Sequence, residues 1–150
     1  MRIVKDILVS KPQAFNIVQT GTRVIDALTL LNSVNLSYLI VMDGDTYKGI
    51  FCERDYSRNV ILKGRSSDTT KVEEVMTTDL PVVSLNDSVE YCMNFMNASK
   101  TRYLLAYDED KFAGVVTIHD LLRQVIANKE DVFDSAANSL LDSEESGRIY

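Results

Sequence analysis

Apolar side chains recur with a helical period in two segments of the chain. Between residues 24 and 31, and again between residues 89 and 96, they fall at positions i, i+3, i+4 and i+7. This spacing places one apolar stripe along a helix, so both segments are predicted to be helices that pack on a core. The second helix is predicted to begin with Asp87 as its cap and Glu90 as the partner of a capping box.

Strand patterns flank both of these helices. The runs "YLIVM" and "YLLAY" lead through acidic turns into "YKGIFC" and "FAGVVT". Two β-hairpins are therefore predicted, and Asp43-Gly44 is the stronger turn signal. A leading strand, "FNIVQ" or "PVVSL", precedes each helix. A further helix is predicted after each hairpin, over Arg54 to Lys63 with Gly64 at its end and over His119 to Asn128.

The order β-α-β-β-α thus occurs twice, and the two copies are related in sequence. A shift of 65 residues aligns residues 24–61 with residues 89–126 without a gap, and eleven of the 38 aligned positions are identical. Short helical segments are predicted before both copies, at Val4 to Leu8 and at Val72 to Met76. Because one three-stranded sheet has little interior, we predict an α+β protein whose two units pack sheet to sheet about a pseudo-twofold axis. The expected divisions are residues 1–66, residues 67–128 and an acidic tail at residues 129–150.

Charge and composition narrow the classes of function. The net charge is -6, and the tail holds six acidic and two basic residues, so the remainder is nearly balanced. The chain therefore lacks the basic surface typical of nucleic-acid or anionic-membrane binding. No apolar run is long enough to span a membrane, and a cytoplasmic location is expected. Cys52 and Cys92 lie outside any CxxC pair, so no disulfide and no metal site is expected.

The duplicated segments resemble a pair of cystathionine-β-synthase (CBS) domains, an arrangement also called a Bateman module. The resemblance covers about residues 1–128 and depends on "TTDLPVVSLNDSV", on the hairpins and on the pattern G-h-h-[TS]-x-x-D. "GVVTIHD" matches that pattern fully, whereas "GIFCERD" has Cys52 in place of Thr or Ser.

This resemblance implies a fold and a function. It implies two clefts between the sheets, and a homodimer that senses a ligand and does not catalyse a reaction. The ligand would contain adenosine, with AMP, ADP or ATP favoured over NAD or S-adenosylmethionine, and no cofactor would be required.

The aspartates of the two motifs suit a ribose. Asp55 and Asp120 are predicted at strand-to-helix junctions, and a carboxylate accepts hydrogen bonds from both hydroxyls of a cis-diol. Thr117 offers a further polar contact near Asp120, whereas Cys52 forms weaker hydrogen bonds. We therefore favour the cleft that contains Asp120, although either Asp also fits the role of an ordinary helix cap.

Phosphate groups require donors and positive charge, which a helix start supplies in part. Arg54 and His119 directly precede the two aspartates, and Arg102 precedes the strand "YLLAY". The resemblance groups the candidate residues into two clefts. One combines Asn16, Ile17, Ser37, Tyr38, Thr117 and Asp120, and the other combines Thr78, Val82, Arg102, Tyr103, Arg54 and Asp55.

A second hypothesis requires no ligand. The chain would then be an interaction module whose dimer face or acidic tail docks onto a partner enzyme or transporter, and the Cys at the motif position keeps this alternative open. Catalysis has little support, because no nucleophile or metal-ligand spacing accompanies His119 and Asp120. The repeated Arg58 and Arg123 are compatible with intrahelical or interface ion pairs.

Overall fold

The computed structural model describes residues 2–11, 16–34 and 36–127, which form two compact units. Residues 16–34 and 36–79 form the first-repeat unit, and residues 2–11 and 80–127 form the second-repeat unit. In chain order the elements are α1 (Val4–Ser10), β1 (Ile17–Gln19), α2 (Val24–Val34), β2 (Tyr38–Asp43), β3 (Thr46–Cys52), α3 (Glu53–Tyr56), a π-helical turn (Ser57–Ile61), a 3-10 turn (Val72–Glu74), β4 (Val82–Ser84), α4 (Val89–Ser99), β5 (Tyr103–Asp108), β6 (Lys111–Thr117) and α5 (Ile118–Ala127). The predicted strand residue Phe15, the predicted helix end Asn128 and the acidic tail at 129–150 lie outside the described residues.

Each unit contains one three-stranded sheet, and the topology of the two sheets is the same. β2 is central, parallel to β1 and antiparallel to β3, and β5 has the same relation to β4 and β6. The register repeats as well, because Tyr38 lies opposite Cys52 and Tyr103 lies opposite Thr117. The predicted α+β class and the repeated β-α-β-β-α order are confirmed.

The apolar stripes of α2 and α4 face the cores, as their spacing predicts. Val24, Ala27 and Leu31 of α2 are buried in the core of the first-repeat unit. Cys92 and Met96 of α4 are buried in the core of the second-repeat unit. These stripes hold each sheet to its helix and so fix the strand ends near which the candidate site residues lie.

The start of α4 differs from the prediction by one residue. Ser88 is the cap, because its hydroxyl accepts a hydrogen bond from the Tyr91 N–H at 3.0 Å. The prediction of Asp87 as the cap is wrong, since its carboxylate accepts from the Ser84 N–H at 2.7 Å and closes the turn after β4. The sequence offers two adjacent residues that both suit a cap, and the turn geometry decides between them.

Each unit includes the helical segment that precedes the other repeat. Val4 and Ile7 of α1 are buried in the core of the second-repeat unit. Val72 and Val75 are buried in the core of the first-repeat unit. This packing differs from the predicted division into residues 1–66 and 67–128, which grouped each segment with the repeat that follows it. Both segments have the same apolar spacing, which predicts a buried face but not the sheet that covers it.

The repeated glycines lie where these segments approach the sheets. A Cβ atom on Gly49 of β3 would lie 2.6 Å from the Met76 Sδ and 2.9 Å from the Thr77 carbonyl oxygen. A Cβ atom on Gly114 of β6 would lie 3.1 Å from the Leu8 Cδ2. The repeat therefore keeps glycine at this position because a side chain there would occupy the space of the packed segment.

Candidate ligand-binding site

The two motif aspartates lie where a strand ends and a helix begins. We call residues 52–55, between β3 and α3, the first junction, and residues 117–120, between β6 and α5, the second junction. In each, the backbone N–H of the last strand residue donates to the carboxylate three positions later, from Cys52 to Asp55 and from Thr117 to Asp120, both at 2.9 Å. The Asp120 N–H also donates to the Thr117 hydroxyl at 3.2 Å. Each motif therefore also forms a capping box at the start of its helix.

Both carboxylates are buried, so each needs donors to compensate for its lost hydration. Asp55 is 5% exposed and Asp120 is 2% exposed. An ionised carboxylate that is removed from water is costly unless it is paired or hydrogen-bonded. The donors at the two junctions differ in charge, and this is the main difference between the two repeats at the site.

Two cations contact the carboxylate of the second junction. The Lys11 ammonium, just after α1, donates to the Asp120 Oδ2 at 2.9 Å and to the Val115 carbonyl oxygen at 2.9 Å. The Arg123 guanidinium donates to the Asp120 Oδ1 from one turn later in α5. Of the two kinds of ion pair that the sequence left open for Arg123, the structure shows the intrahelical one. Lys11 was not among the predicted site residues, because it is far from the motif in sequence.

Neutral donors contact the carboxylate of the first junction. The Thr77 hydroxyl donates to the Asp55 Oδ1 at 2.7 Å, and the Cys52 thiol donates to the Asp55 Oδ2 at 3.3 Å. Two backbone hydrogen bonds with Ile50, of 2.8 and 2.9 Å, hold Thr77 against β3. Burial raises the pKa of the Cys52 thiol, and the negative charge of Asp55 raises it further, so the thiol stays protonated and serves as a donor.

Thr77 and Lys11 occupy related positions in the two units. Both follow a short helical segment, and Ile50 and Val115, which they contact, are equivalent in the 65-residue repeat. The signal that could have revealed them is the pair of similar segments "VKDIL" and "VEEVM", each followed within a few residues by a hydrogen-bond donor.

The predicted phosphate ligands lie at or near the sheet ends. Arg54 and His119 are exposed in the first turns of α3 and α5. Arg102 is half-buried just before β5, and its carbonyl oxygen accepts from the Ile118 N–H at 3.0 Å, which links the start of β5 to the start of α5. In the second-repeat unit, Arg102, Thr117, His119 and Asp120 therefore lie at one end of the sheet.

Two of the predicted cleft residues are equivalent apolar residues at strand starts. Ile17 begins β1 and is 53% exposed, and Val82 begins β4 and is 52% exposed. An exposed aliphatic side chain at the same place in both repeats offers apolar surface to a planar base.

The remaining candidates surround the same strand ends. The Asn16 amide, which is buried, donates to the Tyr38 carbonyl oxygen at 3.4 Å. Ser37 is exposed just before β2, and Thr78 is exposed just after Thr77. In the first-repeat unit, β-sheet register places Tyr38 beside Cys52, and in the second-repeat unit it places Tyr103 beside Thr117. The assignment of these residues to two ligand sites stays a prediction.

The described ranges contain neither a cluster of metal ligands nor a helix that could span a membrane. Among residues 2–11, 16–34 and 36–127, no three His, Cys, Asp or Glu side chains are grouped so that they would hold a metal ion. The helices within these ranges are all too short or too polar to cross a lipid bilayer. Cys52 and Cys92 are both free thiols.

Two β-α-β-β-α units, each with an aspartate motif at a strand-to-helix junction, define a tandem CBS-domain protein. The sequence profile of the CBS domain matches residues 72–127. A protein with CBS domains from Burkholderia ambifaria MC40-6, whose structure is solved, is 36% identical to this chain and superposes on it with a TM-score of 0.75. The superposition covers 87% of this chain and 98% of the Burkholderia ambifaria chain. The chain therefore belongs to the CBS-domain family.

Two further relatives extend the comparison. The mitochondrial CBS domain-containing protein CBSX3 of Arabidopsis thaliana is 30% identical over 112 residues, which are 71% of this chain and 54% of CBSX3. The chain thus spans about half the length of that relative. CBSX2, whose crystal structure is solved in complex with AMP, is 26% identical in sequence to this chain. The two superpose with a TM-score of 0.70 over 87% of this chain and 100% of that chain.

Proposed function

We propose that this protein is a regulatory CBS-domain pair that binds an adenosine-containing ligand, with AMP, ADP or ATP as the first candidates. The observation that carries the proposal is the buried carboxylate at each strand-to-helix junction, Asp55 and Asp120. The family assignment supports this class of function, and the complex of CBSX2 with AMP supports this class of ligand.

The chemistry of the candidate residues fits the parts of such a ligand. A carboxylate accepts hydrogen bonds from the two hydroxyls of a ribose. The exposed basic side chains of Arg54 and His119, each next to a motif Asp, suit a phosphate group. The exposed aliphatic residues Ile17 and Val82 suit a base. NAD and S-adenosylmethionine contain the same adenosine group and are alternative ligands.

The proposed role is regulatory, with no catalytic step. The ligand would change the relative stability of two states of a homodimer, and that change is limited by the difference in its affinity for the two states.

Calorimetric titration tests the proposal. AMP, ADP, ATP, NAD and S-adenosylmethionine are titrated separately, and 2′-deoxy-AMP is the matched control because it lacks one hydroxyl of the cis-diol. We expect at least one adenosine ligand to bind with a Kd well below 1 mM and the deoxy control to bind at least tenfold more weakly. If every ligand has a Kd above about 1 mM, which corresponds to only ~4 kcal/mol, the proposal fails.

One observation favours a second function, that of a ligand-free interaction module. Both motif aspartates already complete a capping box, so their presence has a structural explanation without a ligand. A partner protein would then bind the full chain equally well with and without AMP. A pull-down that compares the full chain with one ending at Asn128 would show whether residues 129–150 contribute to that binding.

A further inference from the structure

The side chains that donate hydrogen bonds to Asp120 are positively charged, whereas those that donate to Asp55 are neutral. At the second junction, the Lys11 ammonium lies 2.9 Å from the Asp120 Oδ2, and the Arg123 guanidinium contacts the Asp120 Oδ1. At the first junction, a hydroxyl and a thiol occupy the corresponding places, from Thr77 at 2.7 Å and from Cys52 at 3.3 Å. Each carboxylate also accepts one backbone N–H.

A ribose must compete with these donors. A carboxylate offers about four lone-pair sites, and three donors already occupy each aspartate. A cis-diol brings two more donors, so at least one resident donor must leave. The backbone N–H is fixed by the junction itself, and therefore a side chain is the group that is displaced.

The cost of displacement differs between the junctions. A thiol is a weak donor, and the Cys52 contact is the longest of the three at Asp55. An ammonium that faces a buried carboxylate forms a charge-assisted hydrogen bond, which is about twice as strong as a neutral one. Lys11 also donates to the Val115 carbonyl oxygen, so its removal breaks a second hydrogen bond.

The backbone after each junction reinforces this difference. α5 continues as a regular helix, which places Arg123 one turn above Asp120. After α3 the helix widens into the π-helical turn Ser57–Ile61, which contains the equivalent Arg58. Among the ion pairs within residues 2–11, 16–34 and 36–127, none joins Arg58 to Asp55. The two repeated arginines therefore have different roles.

We propose that the first junction, at Asp55, binds the ribose more tightly, and that Lys11 acts as a competing cation that weakens binding at Asp120. This inference rests on the proposed function and specifies which of the two aspartates binds the ribose at the lower ligand concentration. It also reverses the preference for the Asp120 cleft that the intact motif suggested, because a complete motif at Asp120 is accompanied by a cation from a distant segment.

The experiment uses the unaltered protein and AMP. The amide N–H groups of Cys52 and Thr117 donate directly to the two carboxylates, so their NMR chemical shifts report on each junction separately. We expect the Cys52 amide to shift with a midpoint at least tenfold lower in AMP concentration than the Thr117 amide. Equal midpoints, or an earlier shift at Thr117, would overturn the inference while leaving adenosine binding intact. If AMP changes neither the amide chemical shifts nor the heat measured by calorimetry, the proposed binding of AMP itself is wrong.

The affinity of variants for AMP, measured by calorimetry, gives a second and independent test. Asp55→Asn should weaken AMP binding at least tenfold, and Asp120→Asn should change it less than threefold. Adding Lys11→Met to Asp55→Asn should raise the residual affinity for AMP at least threefold, because the competing cation is gone. Lys5→Met, on the exposed side of α1, is the matched control and should have no effect. A lower affinity in the Lys11→Met, Asp55→Asn double variant would show that Lys11 assists binding, contrary to the proposal.

Discussion

Lys11 and Asp120 are separated by 109 positions in the sequence, and yet the Lys11 Nζ lies 2.9 Å from the Asp120 Oδ2. The carboxylate is 2% exposed, whereas the lysine side chain is 24% exposed. This ion pair links the end of α1 to the first turn of α5 in the second-repeat unit. It also compensates for a charge that the fold has removed from water.

Replacement of Lys11 by Met should destabilise the protein, because Asp120 would lose one of its two cationic partners. The expected loss is about 1–3 kcal/mol in the free energy of unfolding, since Arg123 and the Thr117 N–H still donate to the carboxylate. Urea denaturation of Lys11→Met and of the exposed control Lys5→Met measures it. A loss of equal size in both variants would mean that the ion pair between Lys11 and Asp120 does not contribute to the free energy of unfolding.

Gly49→Ala should destabilise the protein. The added Cβ meets the Thr77 carbonyl oxygen at 2.9 Å, a backbone atom that cannot move without disturbing the hydrogen bond that it accepts from the Ile50 N–H. We expect a loss of about 1–3 kcal/mol in the free energy of unfolding. Gly114→Ala should also destabilise the protein, because the φ of 158° at Gly114 is a backbone conformation that side chains rarely adopt. Urea denaturation measures both variants, and an unchanged midpoint for Gly49→Ala would contradict this account of the repeated glycines.

Ser88→Ala should remove the cap of α4 and cost about 1 kcal/mol of stability, because the Tyr91 N–H would lose its acceptor. Ser88→Asn is the control, since its amide oxygen also caps helices and should retain most of the stability. Thermal unfolding of the two variants makes the comparison. If Ser88→Ala were harmless, the helix start would depend on other groups.

Alkaline pH should destabilise the protein through Cys92. Burial, and secondarily the charge of Asp87, raises the pKa of this thiol from 9.0 to about 12. A pKa that is higher in the folded state than in the unfolded state contributes stability that is complete below pH 9. That contribution is lost as the pH rises from 9 towards 12, because the unfolded state releases its proton first.

The matched variant for this prediction is Cys92→Ala. The difference in unfolding free energy between the natural protein and the variant should be constant below pH 9. Above it, the difference should fall by at most about 1.4 kcal/mol per pH unit. A difference that stays constant up to pH 11 would show that the thiol titrates normally in the folded protein.

Local pattern was sufficient to predict the elements of both units. The stripes of α2 and α4 have the 3.6-residue period of a helix, and the hairpins are marked by short apolar runs and acidic turns. The prediction of Gly64 as the end of a helical segment also agrees with the structure, where it has a φ of 71°. The widening of that segment into the π-helical turn was not predicted, since no residue in Ser57–Ile61 signals it.

Contacts between distant segments could not be predicted in the same way. The junction aspartates are placed by the order of strand and helix, which the sequence pattern contains. Lys11 and Thr77 reach them only because α1 and the 3-10 turn pack against particular sheets. Hydrophobic burial has no direction, so an apolar stripe cannot specify its partner. For this reason the electrostatic difference between the junctions appears only in the structure.

The exchange of the two short helical segments has a consequence for synthesis of the chain. The residues of the first-repeat unit are nearly consecutive, so this unit can close once residue 79 has left the ribosome. The second-repeat unit joins residues 2–11 to residues 80–127, and so residues 2–11 cannot pack on their sheet until residues 80–127 have been synthesised. Until then the apolar face of α1, with Val4 and Ile7, has no sheet to cover it and is available to a chaperone.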